Sequence, residues 1–119
     1  MTAHDFIDKW SASELKESSA SHEHFIDLCR LLGKPTPAEA DPTGDQYCFE
    51  RGARTDTGDD GWADVWKRHH FASEYKGKRK DLDAAFEQLR QYALALENPP
   101  LLIISDMARF CAAVASAYG

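Results

Sequence analysis

Two carboxylates and an ammonium fall within one short stretch of the chain, as Asp64, Glu74 and Lys76, an Asp-x9-Glu-x-Lys array. Brought together, these groups are what metal-assisted phosphodiester cleavage needs. Carboxylate oxygens suit a hard ion such as Mg2+. Such an ion polarises a phosphoryl oxygen and lowers the pKa of an attacking water, while a lysine beside it steadies the negative charge that develops.

The elements that must position the three groups follow from their spacing. Residues 62–67 and 71–76 read as antiparallel strands joined by a turn centred on His69, and Asp64 and Glu74 are equidistant from that centre. Direct cross-strand partners share a face, as do residues two apart on one strand. Asp64, Glu74 and Lys76 then project together beside Trp66 and Ala72, with Val65, Ser73 and Tyr75 on the other side. A slip of one residue would separate Asp64 from its partners. The plainer alternative is an exposed hairpin carrying ordinary solvated charges.

Composition limits what surrounds this hairpin. At 119 residues, with 11% aromatic and 29% charged residues, the chain suits one soluble globular domain with a real core. It has no apolar run long enough to span a membrane and no basic, apolar leader after Met1, so the expected location is cytoplasmic, away from membranes. Cys29, Cys48 and Cys111 are odd in number and widely spaced, and they read as free thiols. The formal net charge of -6 conceals a basic stretch. From Lys67 to Lys80, six basic residues (Lys67, Arg68, Lys76, Lys78, Arg79 and Lys80) face Glu74 alone, a net +5. Such a patch attracts a phosphate backbone, although a solvated basic loop has the same composition.

Along the chain, Phe6, Ile7 and Trp10 suggest a short helix, and Ser11-Ala-Ser-Glu14 reads as a capping box opening a second one. Phe25, Leu28, Cys29 and Leu32 continue at helical spacing until Gly33-Lys-Pro35. A loop over 36–44 leads to a strand at Tyr47–Arg51, and a polar turn over 54–61 leads into the hairpin. Asp81 caps a helix whose face is Leu82, Ala85, Phe86, Leu89, Tyr92, Ala93 and Leu96, ending at Asn98-Pro-Pro100. The apolar run Leu101–Ser105 reads as a strand buried on both sides.

Two further groups could serve the array. Glu17 precedes Leu28 by eleven residues, about three helical turns, so it falls on the core-facing stripe, and Glu14 stands in the same relation to Phe25. Both also suit a solvated first turn, where acidic residues favour the helix dipole. Gln88 and Tyr92, four apart, are neighbours on their helix, with Gln88 at the edge of its apolar stripe. His22-Glu-His24 and His69-His70 lack a partner cluster for zinc and read as surface or turn histidines.

The order of helix, three-stranded meander bearing Asp then Glu-x-Lys, helix with Gln-x-x-x-Tyr, and apolar strand resembles the PD-(D/E)xK nuclease superfamily. More narrowly, Phe25–Gly33, Tyr47–Arg51, Trp62–Trp66, Phe71–Gly77, Lys80–Asp83 and Gln88–Leu102 resemble the N-terminal endonuclease domain of MmeI-like restriction-modification enzymes, over about residues 10–110. The resemblance implies an α/β (α+β), restriction-endonuclease-like αβββαβ core: a mixed central sheet flanked by helices. It implies one domain over 1–119, with a helical part at 1–33, core sheet and helix at 46–106, and a tail at 107–119.

For function, the resemblance implies a Mg2+-dependent DNA endonuclease, with Mn2+ as a substitute ion. The catalytic residues would be Asp64, Glu74 and Lys76; the metal would be held by Asp64, Glu74, the Tyr75 carbonyl and Glu17. Gln88 and Tyr92 would be auxiliary, and Lys67, Arg68, Lys78, Arg79 and Lys80 would contact double-stranded DNA. Longer relatives continue into a methyltransferase and a target-recognition part, so such a polypeptide is an expected partner, as is a transient second copy on DNA. No Gly-rich loop for S-adenosylmethionine is present, and Asn98-Pro-Pro100, followed by Leu101 instead of an aromatic, reads as a helix stop. Ala63 replaces the proline common before the first aspartate. The alternative function is an inactive fragment or a DNA- or protein-binding module that keeps the nuclease fold.

Overall fold

The computed structural model describes residues 1–13, 17–54, 60–77, 81–107 and 110–114. Its elements are α1 (Ala3–Ala12), α2 (Glu17–Leu31), α3 (Pro37–Ala40), β1 (Tyr47–Arg54), β2 (Asp60–Lys67), β3 (Phe71–Tyr75), α4 (Leu82–Gln91), β4 (Leu101–Ser105) and β5 (Phe110–Val114). The strands form one sheet in the order β1-β2-β3-β4-β5. The β3–β4 pair is parallel and the others are antiparallel, so the sheet is mixed, as expected.

Local chemistry explains where the helices begin and end. Thr2 accepts from the Asp5 backbone N–H while the Asp5 carboxylate accepts from that of Thr2, a capping box that starts α1. Ser11 consequently lies in the last turn of α1 and opens no helix; Glu14 lies outside the described residues. Gly33, at φ 67, ends α2: the Lys34 N–H returns to the Cys29 carbonyl, a closure that a Cβ would hinder. Within the expected loop, Thr36 and Glu39 form a second capping box on the one-turn α3. Asp81 caps α4 through the N–H groups of Asp83 and Ala84. The helix stops at Gln91, a turn before Leu96, yet turns over 92–97 keep Tyr92, Ala93 and Leu96 buried.

Two cores flank the sheet. On one side, Phe6 and Trp10 of α1 and Ala20, Phe25 and Cys29 of α2 pack against Tyr47, Val65 and Tyr75. Trp10 and Lys9 both reach the Asp27 carboxylate, joining α1 to α2. On the other side, Ala85, Leu89 and Tyr92 cover Trp66, Ala72, Leu102 and Ile104. The central strands thus meet apolar side chains on both faces, which is why Leu101–Ser105 reads as a continuous apolar run. The tail expected over 107–119 contains a fifth strand, β5, paired along the whole of β4. No helix among the described residues is long and apolar enough to cross a membrane.

Candidate functional site

The hairpin has the register expected from its sequence. Val65 pairs with Ser73, Trp66 with Ala72 and Lys67 with Phe71, a pattern symmetrical about His69, whose φ of 66 closes the turn. The pairing runs as far as Val65 and Ser73, one step short of Asp64 and Glu74.

The pleat itself departs from regularity at Asp64. Alternation would send Ala63 and Val65 to the same side. Instead Ala63 packs in the α4 core and Val65 in the α2 core, while Trp66 returns to the α4 side. Across the ladder, Glu50 stands between Phe49, paired with Val65, and Arg51, paired with Ala63, and has a φ of 55. The irregularity therefore spans both strands, and Asp64 sits at the reversal. Strict alternation alone does not fix its direction; a hydrogen bond does. Asp64 Oδ2 accepts from the Tyr75 N–H at 2.6 Å.

Charge gathers around this bond. Lys76, next to Tyr75, lies 3.3 Å from Glu74 Oε1, and the Lys76 backbone N–H is anchored on the Ser105 carbonyl at 2.7 Å. The Lys76 and Glu74 side chains are 25% and 14% exposed, so their pairing is partly shielded from water. Burial raises the pKa of Asp64; the Tyr75 N–H, Lys76 and His22 act against that shift, and Glu50 adds to it. The structure therefore ties Asp64 to Tyr75 and Lys76 to Glu74, with Lys76 within electrostatic reach of Asp64. It also places two residues in the field of Asp64 that spacing did not single out. His22, on α2, stacks on Phe49 at 4.2 Å and stands 3.8 Å from Glu50. The register of β1 against β2 was the signal that could have found Glu50.

Other expected site residues fall elsewhere. Glu17 is the first residue of α2, one turn before Ser21 and two before His24, both buried; its side chain lies outside the described residues. Gln88 donates to the Tyr92 hydroxyl at 3.3 Å, a pair on α4 with Tyr92 in the core beneath it. Lys67 and Arg68 stand at the turn end of the hairpin, about 10 Å along the strand from Asp64. Lys67 lies over the Tyr47 ring and Arg68 is paired with Glu97 at 2.9 Å, so a residue distant in sequence offsets part of the basic stretch. Lys78, Arg79 and Lys80 lie outside the described residues. Cys29 and Cys48 are free thiols.

His24 is not the surface histidine expected of it. It is fully buried among Phe6, Trp10 and Tyr75, and its Nδ1 is 2.7 Å from the Tyr75 hydroxyl. Burial lowers its pKa from 6.5 to about 4, although the Met107 backbone and Asp27 favour the protonated form. The unfolded chain therefore takes up the proton first as pH falls. His24 contributes stability that is complete above pH 6.5 and is lost progressively down to about pH 4, on the order of 3 kcal/mol. Urea midpoints measured across this range should fall with pH in the native protein and fall less steeply in His24→Gln. Equal slopes would remove His24 as the source.

The donor set suits a hard divalent cation. Mg2+ is commonly held through one or two carboxylates and retains several waters, and Asp64 and Glu74, with the Tyr75 carbonyl beside them, supply oxygen only. Among the described residues, no three His, Cys, Asp or Glu side chains converge as a metal site by themselves.

The sequence was also compared with known proteins. No curated protein and no solved structure matches it. The family described as MmeI, N-terminal domain, matches residues 1–117. That match spans both cores and all five strands, and the chain accordingly belongs to the MmeI N-terminal domain family, part of a restriction-modification enzyme.

Proposed function

We propose that the domain is a divalent-metal-dependent DNA endonuclease. The observation that carries this reading is the local linkage of the three groups: Asp64 is held on the Tyr75 N–H, and the next residue, Lys76, is paired with Glu74. Asp64, Glu74 and the Tyr75 carbonyl would hold Mg2+ or Mn2+, with Glu17 as a further oxygen ligand. When bound, the ion would supply Lewis-acid polarisation of the scissile phosphate and a lowered pKa for water.

The chain's own residues do the rest. The Tyr75 N–H fixes one Asp64 oxygen and leaves the other available. Lys76 presents positive charge toward the attacked phosphate, orients the incoming water and stabilises the charge that accumulates on the phosphoryl oxygens. Lys67, Arg68, Lys78, Arg79 and Lys80 contact backbone phosphates, which position a duplex without reading its sequence. Gln88 and Tyr92 support this arrangement from α4. One such site cuts one strand at a time, so a double-strand break calls for a second copy. Target choice belongs to a methyltransferase and target-recognition polypeptide.

Supercoiled plasmid incubated with the protein and Mg2+ or Mn2+ should be nicked, and Asp64→Ala should abolish nicking while its thermal melt remains cooperative. A gel-mobility shift without cleavage in either protein would instead favour a DNA-binding module that retains the fold.

A further inference from the structure

The strand that carries Asp64 has β1 on one side and β3 on the other, and a basic side chain stands over each. On the β3 side it is Lys76, next in sequence to the Tyr75 whose N–H holds Asp64. On the β1 side it is His22 of α2. Its ring stacks on Phe49 at 4.2 Å with 24° between the planes, and its Nε2 lies 3.8 Å from Glu50 Oε1. Lys76 and His22 both favour the charged form of the Asp64 carboxylate.

Glu50 has a place in the sheet that stability does not explain. The pairs Phe49–Val65 and Arg51–Ala63 bracket Glu50 and Asp64, so the two carboxylates belong to facing positions, where like charges oppose one another. The backbone reaches this arrangement through a φ of 55 at Glu50, a region that a glutamate rarely adopts. Such backbone concentrates at functional sites. What Glu50 gains there is His22, with which it forms an ion pair when the ring carries its proton. Held by Phe49 on one face and Glu50 at one edge, the His22 side chain remains 43% exposed and open to a ligand.

We propose that His22 donates the proton taken up by the leaving deoxyribose oxygen, with Glu50 as the residue that positions it; this assignment rests on the nuclease reading above. In a displacement at phosphorus the attacking and leaving oxygens lie roughly in line. Lys76 orients the water over the β3 side, so the departing oxygen lies toward β1, where His22 stands. The bond from the water oxygen to phosphorus forms and the bond from phosphorus to the deoxyribose oxygen breaks. That oxygen keeps the electron pair and takes the Nδ1 proton of His22, leaving a free hydroxyl and a terminal phosphate. The water gives its proton to solvent, and the neutral ring recovers one from solvent. Imidazole suits the task because it changes charge near neutral pH. A carboxylate on one ring nitrogen fixes the ring so that the other can exchange a proton with the substrate.

Two duplexes separate proton donation from a structural role. One carries the ordinary linkage at a position the native protein nicks, and the other has sulfur in place of the leaving bridging oxygen; both are cut with Mn2+. A thiolate is far less basic than an alkoxide and departs unprotonated. His22→Ala should cut the ordinary linkage about 10²-fold or more slowly than the native protein, the scale of general acid catalysis, and the sulfur linkage at nearly the native rate. Glu50→Gln should show the same pattern with a smaller deficit. With no metal present, the ring resonances of His22 should shift when duplex DNA is added, and those of His4 on α1 should not. An equal deficit on both duplexes would make His22 structural. Native-rate cleavage of the ordinary linkage by His22→Ala, or unmoved His22 resonances, would take it out of the site. Each of these results overturns the assignment and leaves the nuclease reading standing, whereas a native protein that cuts neither duplex with Mg2+ or Mn2+ overturns both.

Discussion

Lys76→Ala should lower metal-dependent plasmid nicking by about 10²–10³-fold while leaving DNA affinity nearly unchanged, the scale associated with removing one preorganised stabiliser of transition-state charge. The strand end should survive the substitution, because the Lys76 backbone N–H, not its side chain, is bonded to Ser105. Two losses coincide at the site. The ammonium 3.3 Å from Glu74 disappears, and so does one of the charges that hold down the pKa of the buried Asp64. Asp64 should therefore bind its proton more readily, and the residual activity should begin to fall at a higher pH than in the native protein as the solution is acidified. Binding should behave differently, since one phosphate contact among several changes the salt dependence by about one ion. Nicking at the native rate would take Lys76 out of the chemistry; loss of DNA binding in parallel with cleavage would make it a docking residue.

Trp66→Ala should cost about 3–5 kcal/mol of stability, the range for truncating a large buried aromatic side chain, and lower Tm by roughly 10–20 °C. Trp66 is completely buried between β2 and α4, and its Nε1–H donates to the Leu96 carbonyl at 3.0 Å. The guanidinium of Arg51 lies 4.5 Å from the ring centroid. Truncation opens a cavity, leaves the Leu96 carbonyl without its donor and removes the platform for Arg51. Trp66→Phe separates these effects: it retains much of the packing and loses the hydrogen bond, a deficit of about 1–2 kcal/mol. Thermal melts of the two variants decide the matter. A loss under about 1 kcal/mol for the alanine variant would mean that the ring is not the keystone of the α4 core.

Particular residues show why the sequence was readable in some places and not in others. The hairpin could be registered because a short turn leaves few choices, and placing Lys67 opposite Phe71 fixes the pairs farther along. Asp81 announced α4 through a side chain that caps its own helix, a local interaction. Leu101–Ser105 declared its burial by an unbroken apolar run. β5 gave no comparable signal: alanines neither alternate clearly nor favour strands, and pairing with β4 decides their conformation. The Arg68–Glu97 pair and the burial of His24 against Tyr75 are likewise contacts between distant parts of the chain. For the site, spacing led to the expectation of Asp64 opposite Glu74, whereas the pairing observed stops at Val65 and Ser73, and the pleat reversal shared with Glu50 depends on β1, whose register is not local information.

Tyr75 is bonded at both ends: its N–H holds Asp64, and its hydroxyl meets His24 in the core. The carboxylate has consequently surrendered much of its rotational freedom when the chain folds, before any ligand arrives. Immobilising such a side chain during association costs about 0.5–1.5 kcal/mol, and here folding has already met that entropic cost. The core of α2 thus acts as a mechanical reference for Asp64, and a change confined to the aromatic cage of His24 would be felt as slack at the carboxylate.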